Sequence, residues 1–160
     1  MIILKEILYK VAIESVSGST EIAIDKIEFD SRKIVANDVF VAIRGAIANG
    51  HEFIEIAINK GATAIICDTL PENLIPGITY VKVKDTNKAM VFMASNYYEN
   101  PSKNLKLIGI TGTNGKTTIA SLLYQLFKNA GFKVGLLSTV KILVDDIEYK
   151  ATHTTPDSLT

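Results

Sequence analysis

The chain has 160 residues, 17 basic and 17 acidic side chains, and a hydrophobic content of 48%. This is the composition of an ordinary globular protein, and the length allows one domain or two small ones. Because the formal net charge is zero, there is no electrostatic reason to propose nucleic acid or an anionic membrane as a partner. No apolar run approaches the length of a membrane span, and the charged N-terminus is a poor signal peptide. We therefore expect a soluble, cytoplasmic protein.

The first hundred residues alternate between helical and strand-like patterns. Apolar residues at helical intervals predict a helix over residues 3–13. Further helices are predicted over residues 51–60, ended by Gly61, and over residues 86–100, with Thr86 as N-cap. The predicted strands are 24–30, 39–43, 63–68 and 78–85.

Cys67 is the single cysteine and lies in the strand-like run TAIICD. One cysteine excludes an internal disulfide. Its apolar surroundings predict a buried, unreactive thiol rather than a nucleophile.

The segment ENPSKN, residues 99–104, is the best domain boundary in the chain, because proline and polar residues end one helix before a new strand. We therefore expect domains at 1–100 and 101–160. The second domain is predicted to hold a strand at 105–110, a glycine loop, a helix at 116–130 ended by Gly131, a strand at 133–139 and a hairpin around Asp145-Asp146. Strand, helix and strand in this order predict a parallel sheet with a right-handed crossover.

The chain ends on THTTPDSLT, which reads as the start of another helix with Pro156 near its first turn. Domains usually run to about 100–150 residues, so the second domain is too short to close its sheet. We expect the chain to be the front part of a longer protein.

The loop TGTNGKTT, residues 111–118, combines the features that bind phosphate: a strand that aims it, small residues and a helix N-terminus behind it. The strict pattern G-x-x-x-x-G-K-[ST] fails, because Ile110 stands where its first glycine belongs. Lys116 at the first helical turn opposes the helix dipole, an arrangement that makes sense when an anion is bound. Thr117 offers a hydroxyl to Mg²⁺. The alternative, a glycine turn with a surface lysine, explains GKTT at this place less well. The apolar face of the following helix is predicted to point inward through Leu122, Leu123, Leu126 and Phe127.

TGTNGKTT resembles the ATP loop of the Mur ligase superfamily, the ATP-dependent amide ligases of peptidoglycan synthesis and their folylpolyglutamate synthetase relatives. The resemblance implies ATP and Mg²⁺ as cofactors, with Lys116 as the catalytic residue and Thr117 as a metal ligand. The implied ATP-binding residues are Gly112, Thr113, Asn114, Gly115, Lys116, Thr117 and Thr118.

Residues 29–68 are similar to the N-terminal UDP-binding domain of the MurE and MurF branches of that superfamily. The shared frame is D-S-R, a polar turn, a VFVA strand, a glycine, a short loop and a second glycine before a helix. The resemblance implies that Ser31 and the loop residues Ala46, Ile47 and Ala48 bind the UDP part of the substrate. Alone, the tripeptide D-S-R would be an ordinary polar turn.

THTTPDSLT, residues 152–160, resembles the MurE segment that holds the muramoyl-dipeptide, usually N-T-T-P-[DE]. Thr154 and Thr155 match, whereas His153 replaces the usual asparagine and has a different hydrogen-bonding reach. A plain helix N-cap cluster is the alternative. Thr113, where MurF loops more often carry serine, also favours the MurE branch.

The resemblance implies an α/β protein: a small mixed α/β UDP-binding domain followed by the start of a P-loop type parallel-sheet ATPase domain. It implies an ATP-dependent ligase that adds the third amino acid, meso-diaminopimelate or L-lysine, to UDP-MurNAc-L-Ala-D-Glu through an acyl phosphate. The full-length enzyme is expected to be a monomer and this chain alone to be inactive. Three alternatives stay open: a MurF-type D-Ala-D-Ala ligase, a folylpolyglutamate or cyanophycin-type ligase, which lacks the front domain, and a non-catalytic nucleotide-sugar binding module.

Overall fold

The computed structural model describes residues 1–45, 48–145 and 147–150. The chain forms two compact units, which divide between Lys103 and Asn104. No helix in the described part of the chain is long and apolar enough to cross a membrane.

The first unit is a five-stranded sheet with helices on its faces and a small two-stranded sheet beside it. Its elements are β1 Ile2–Ile3, α1 Leu4–Ile7, β2 Ile13–Ser17, β3 Ala23–Ile24, β4 Ile27–Glu28, β5 Val39–Val41, a 3₁₀ turn Gly50–Phe53, α2 Ile54–Asn59, β6 Ala64–Cys67, β7 Thr79–Val83 and α3 Thr86–Tyr97.

The main sheet has the strand order β2-β7-β6-β5-β4. β4, β5, β6 and β7 are parallel, and β2 joins the edge antiparallel to β7. Phe40 lies beside Ile65, and Ile65 lies beside Tyr80, so one row of large side chains crosses three strands. Because the four parallel strands run the same way, the loops that follow them meet at one edge of the sheet.

Each face of the sheet has its own hydrophobic core, because successive strand residues point to opposite faces. On one face Val41 and Val81 pack with Leu4 of α1 and Met93 of α3. On the other face the row through Phe40 packs with the buried residues of α2; the buried cluster is Ile34, Phe40, Ala42, Ile54, Ala57, Ala62, Ile65, Cys67 and Tyr80. Buried on both faces, the strands read as continuous apolar runs rather than alternating ones.

The predicted mixed α/β class of the first unit is confirmed, with differences at the ends of elements. The helix predicted over 3–13 ends at Ile7, and the strand β2 at Ile13–Ser17, which the sequence pattern did not predict, follows it. The N-cap of α3 is Asp85, whose side chain accepts the backbone N–H of Lys88, so the assignment to Thr86 was wrong. Cys67 is fully buried as predicted, and burial raises the pKa of its thiol to about 11.

The second unit contains α4 Lys116–Asn129 and an antiparallel sheet of β8 Gly135–Leu137, β9 Lys141–Val144 and β10 Ile147–Lys150. A 3₁₀ turn, Pro101–Asn104, precedes it. The predicted helix and the predicted hairpin are confirmed, and Gly131 follows the helix with a φ of 85°.

The strand predicted over residues 105–110, and with it the parallel crossover to residues 133–139, was wrong for this chain. The described residues 105–110 make no strand pairing, and β8 pairs antiparallel with β9 instead. Leu122 and Leu126 of α4 are 60% and 61% exposed rather than buried. The physical reason is that a strand forms only against a partner strand, and none of the described residues pairs with 105–110.

Candidate functional site

Two glycines shape the loop before α4 through their backbone conformation. Gly112 has a φ of 148° and Gly115 a φ of 78°, values that residues with a Cβ rarely adopt. Close packing does not require glycine at position 115, because a Cβ there would meet nothing closer than 4.0 Å. Gly115 is also the N-cap of α4 and has no side chain with which to cap it. The N–H groups of the first helical turn, which have no partner within the helix, are therefore left to bind an anion.

Lys116 lies folded over this loop. Its Nζ donates a hydrogen bond to the carbonyl oxygen of Gly112 and lies 3.5 Å from that of Thr113. These carbonyls compensate a cation that sits at the positive end of the helix dipole. A phosphate bound by the loop would offer the ammonium a full negative charge in their place.

Thr117 and Thr118 follow Lys116 in the first turn of α4, with Thr117 half-buried and Thr118 exposed. A threonine hydroxyl can supply one oxygen ligand to Mg²⁺, which usually takes most of its other ligands from water and nucleotide phosphates. In the described residues no group of three or more His, Cys, Asp or Glu side chains lies together as a metal site. The loop thus offers backbone N–H groups and the Lys116 ammonium to a phosphate group, and Thr117 as a single protein ligand to Mg²⁺.

In the first unit, the segments that follow β4, β5 and β6 form the second candidate site at the carboxyl edge of the parallel strands. The D-S-R turn follows β4. Asp30 accepts the backbone N–H of Arg32 at 3.0 Å and two guanidinium N–H groups at 2.9 and 2.8 Å. These bonds to Arg32 lower the pKa of the Asp30 carboxyl to about 2. Lys60 Nζ donates to the carbonyl of Arg32 at 2.7 Å, and Ser31 is only 8% exposed. Ser31 therefore lies in a turn that is held by the bonds between Arg32 and Asp30 and by the bond from Lys60.

The loop after β5 is closed by two backbone hydrogen bonds. Gly45 N–H donates to the carbonyl of Ala48 at 3.0 Å, and Gly50 N–H donates to the carbonyl of Ile43 at 2.8 Å. A Cβ on Gly50 would lie 2.6 Å from both the N and the O of Ile43, so only glycine fits there. Of the three loop residues predicted to bind UDP, Ala48 is exposed, whereas Ala46 and Ile47 lie outside the described residues.

Asp68, directly after β6, is a member of the site that the sequence patterns did not indicate. Its carboxylate accepts Nε of Arg44 at 2.9 Å and Nη2 at 2.9 Å, and Arg44 Nη2 also donates to Thr69 Oγ1 at 3.0 Å. The hydrogen bond from Arg44 lowers the pKa of Asp68 to about 2. His51 Nε2 lies 3.1 Å from Asp68 Oδ1. Burial lowers the pKa of His51, although the Asp68 charge opposes this.

The only sequence signal for this network is a charged residue at each of two adjacent parallel strand ends. Arg44 and Asp68 are 24 residues apart and meet because β5 and β6 run parallel in register. The remaining predicted site residues, His153, Thr154 and Thr155, and the predicted helix with Pro156, lie outside the described residues.

Residues 110–160 match the model of the Mur ligase middle domain, and residues 23–102 match that of the Mur ligase family, catalytic domain. The chain belongs to the Mur ligase family.

Curated relatives match almost the whole chain. Proteins of Cytophaga hutchinsonii, Clostridium tetani and Bacteroides thetaiotaomicron are 49%, 48% and 46% identical over 98%, 98% and 99% of it. Each is named UDP-N-acetylmuramoyl-L-alanyl-D-glutamate–2,6-diaminopimelate ligase. The chain spans 32–33% of their length, about a third of the curated relatives it matches.

Solved structures agree on the fold. A UDP-N-acetylmuramoyl-L-alanyl-D-glutamate–2,6-diaminopimelate ligase matches 99% of the chain, and 31% of its own length, with a TM-score of 0.70 at 23% identity. A D-alanyl-D-alanyl ligase from Acinetobacter baumannii matches 66% of the chain, and 23% of its own, with a TM-score of 0.51 at 27% identity. The first likeness shows the fold alone.

Proposed function

We propose that residues 1–160 are the UDP-sugar-binding domain and the first part of the ATP-binding domain of a ligase that adds 2,6-diaminopimelate to UDP-MurNAc-L-Ala-D-Glu. One observation carries the proposal: relatives named for that reaction are 46–49% identical over nearly the whole chain. L-lysine is the alternative amino acid. A D-Ala-D-Ala ligase is disfavoured, because the similarity to such a protein is 27% over two thirds of the chain.

The division of labour follows the two units. Residues 1–100 would hold the nucleotide sugar through Ser31 and the loop 46–48, with His153, Thr154 and Thr155 positioning the muramoyl-dipeptide. Residues 101–160 would begin the ATPase domain. Both groups of residues would orient the D-glutamate carboxylate and would form no covalent bond themselves. Orientation alone lowers an activation barrier substantially.

The reaction has two steps. The D-glutamate carboxylate oxygen attacks the γ-phosphorus of ATP, and the bond to the β,γ-bridging oxygen breaks, which yields an acyl phosphate and ADP. The amine of the third residue then attacks the acyl carbon, an amide forms, and inorganic phosphate leaves after the amine loses a proton.

In the first step, the chain's own contribution is charge stabilisation at the loop 112–118. The free N–H groups of the first turn of α4 would donate to the phosphate oxygens. The ammonium of Lys116 would leave the carbonyls of Gly112 and Thr113 for the β- and γ-phosphates, where negative charge develops. Mg²⁺, held by Thr117 and the phosphates, supplies further charge neutralisation when bound.

Two further parts of the proposal concern the activity of this chain by itself and the setting in which the protein works. The described residues hold no group of three or more His, Cys, Asp or Glu side chains that could bind a metal, and Leu122 and Leu126 of α4 are exposed, so we propose that this chain alone does not catalyse the ligation. A monomeric, cytoplasmic protein fits the use of ATP and a nucleotide-sugar precursor.

Lys116 provides the test. We expect the 160-residue chain to bind Mg-ATP and UDP-MurNAc-L-Ala-D-Glu in separate isothermal titrations, and Lys116→Ala to weaken Mg-ATP binding at least about tenfold, because a charge-assisted bond is lost. Binding of the UDP substrate should not change in that variant. Lys106→Ala, a lysine outside the loop, is the matched control and should bind both ligands as the wild type does.

The titrations also separate the alternatives. UDP-substrate binding without any Mg-ATP binding would favour a non-catalytic nucleotide-sugar module. Mg-ATP binding without UDP-substrate binding would contradict the assignment of the first unit.

A further inference from the structure

The carboxylate of Asp68 contacts both ends of the loop after β5. At the start of the loop, Arg44 donates Nε and Nη2 to it in a two-pronged contact. At the end of the loop, the His51 ring approaches the same carboxylate at 3.1 Å. The residues between Arg44 and His51 include the whole segment proposed to lie against the nucleotide.

The His51 ring makes two hydrogen bonds, one within the end of the loop and one to the residue after β6. Its Nδ1 lies 3.0 Å from Asn49 Oδ1, an oxygen that can only accept, so Nδ1 carries the hydrogen. Its Nε2 then accepts the backbone N–H of Asp68 at 3.3 Å. Asn49 Oδ1 also accepts the backbone N–H of His51 at 3.2 Å and so caps the 3₁₀ turn. A neutral imidazole thus links the loop end to the residue after β6.

We propose that Asp68 is a positioning residue for nucleotide binding: its carboxylate holds Arg44 and its backbone N–H holds His51, and these contacts fix the two ends of the segment that is proposed to take the uridine diphosphate group. The inference rests on the proposed UDP-binding function of the first unit. Loop ends that are already held in place lose less conformational entropy on binding, which raises the affinity for the ligand.

The exposure of the pair argues that its role lies in the loop rather than in fold stability. The Arg44 and Asp68 side chains are 54% and 22% exposed, and surface ion pairs add little to the free energy of unfolding. β6 is already hydrogen-bonded to β5 on one side and to β7 on the other. Removal of the Asp68 charge should therefore loosen the loop and leave the sheet intact.

The experiment is a titration of the 160-residue chain with UDP. Asp68→Asn should bind UDP about tenfold more weakly, because the loop loses the charge-assisted bonds between Arg44 and the carboxylate. Its thermal unfolding midpoint should stay within about 4 °C of the wild type, as expected for a surface change that leaves the core packed. Glu14→Gln is the matched control: it removes the carboxylate that pairs with Lys82 at 3.0 Å in the same sheet, and UDP affinity should not change.

Two further measurements separate positioning from a general loss of structure. In an Arg44→Met background, Asp68→Asn should weaken UDP binding much less than in the wild type, since its main partner is already gone. Amide hydrogen exchange at Gly45 and Gly50 should accelerate in Asp68→Asn, while the amides of Ile65 and Ile66 stay protected.

The outcomes are distinguishable. Wild-type chain that fails to bind UDP overturns the proposed nucleotide function and this inference with it. Wild-type binding with an unchanged or tighter affinity in Asp68→Asn overturns the inference alone. If Asp68→Asn unfolds the chain, Arg44→Met decides instead, and an unchanged UDP affinity in that variant overturns the inference.

Discussion

At the scale of single residues, Gly50 and Gly77 show two different reasons for a glycine. Gly50 packs against the backbone of Ile43, where a Cβ would lie 2.6 Å from two atoms. Gly77 has open space around it but a φ of 87°. The first is required by contact and the second by backbone conformation.

Substitution by alanine should separate these two causes. We expect Gly50→Ala to lower the free energy of unfolding by about 3 kcal/mol, because the backbone of the loop must move. Gly77→Ala should cost only about 1 kcal/mol of left-handed strain. Urea unfolding of both variants measures the difference, and equal costs would contradict the close packing of Gly50. UDP binding should fall in Gly50→Ala and stay unchanged in Gly77→Ala.

Residue-level prediction from sequence succeeded where the chemistry is local. The glycine turn at Gly112 and Gly115, the place of Lys116 in the first turn of α4 and the burial of Cys67 all depend on neighbours within a few positions. Asp68 and His51 could not be found this way, because their meeting depends on which strands lie side by side. The N-cap of α3 was misplaced by one residue, since Asp85 and Thr86 are both good capping types.

At the scale of elements, α4 and residues 105–110 differ in what they need to form. A helix satisfies its backbone hydrogen bonds within itself, so α4 forms even with Leu122 and Leu126 largely exposed. A strand needs a partner, and 105–110 pairs with none of the described residues. The apolar run of residues 105–110 led to the prediction of a strand, but the sequence pattern could not show whether a partner strand lies beside it.

Hydrogen exchange of the 160-residue chain should show this contrast directly. We expect the amides of Lys106 to Ile110 to exchange at nearly the rate of an unstructured peptide, because none of them pairs with a strand in the described part of the chain. The amides of β6, which is paired on both sides, should exchange slowly. Strong protection at Ile108 and Gly109 would contradict the unpaired state.

At the scale of the whole molecule, the hydrophobic core is distributed unevenly between the two units. Among the described residues, every buried apolar side chain except Leu136 lies between Leu4 and Ala94. The second unit leaves large apolar residues exposed, with Leu107 at 91%. The first unit therefore contains within itself the buried surface that stabilises a fold.

This distribution predicts that residues 1–103 fold without the rest of the chain. We expect the shortened chain to unfold cooperatively on heating, as a small domain with its own core does. It should bind UDP with the affinity of the 160-residue chain, because the D-S-R turn, the loop 44–50 and Asp68 all lie within it. Circular dichroism and titration measure the two properties. A shortened chain that is unfolded would show that the core between Leu4 and Ala94 needs residues beyond 103, whereas a folded chain that no longer binds UDP would place part of the nucleotide site in the second unit.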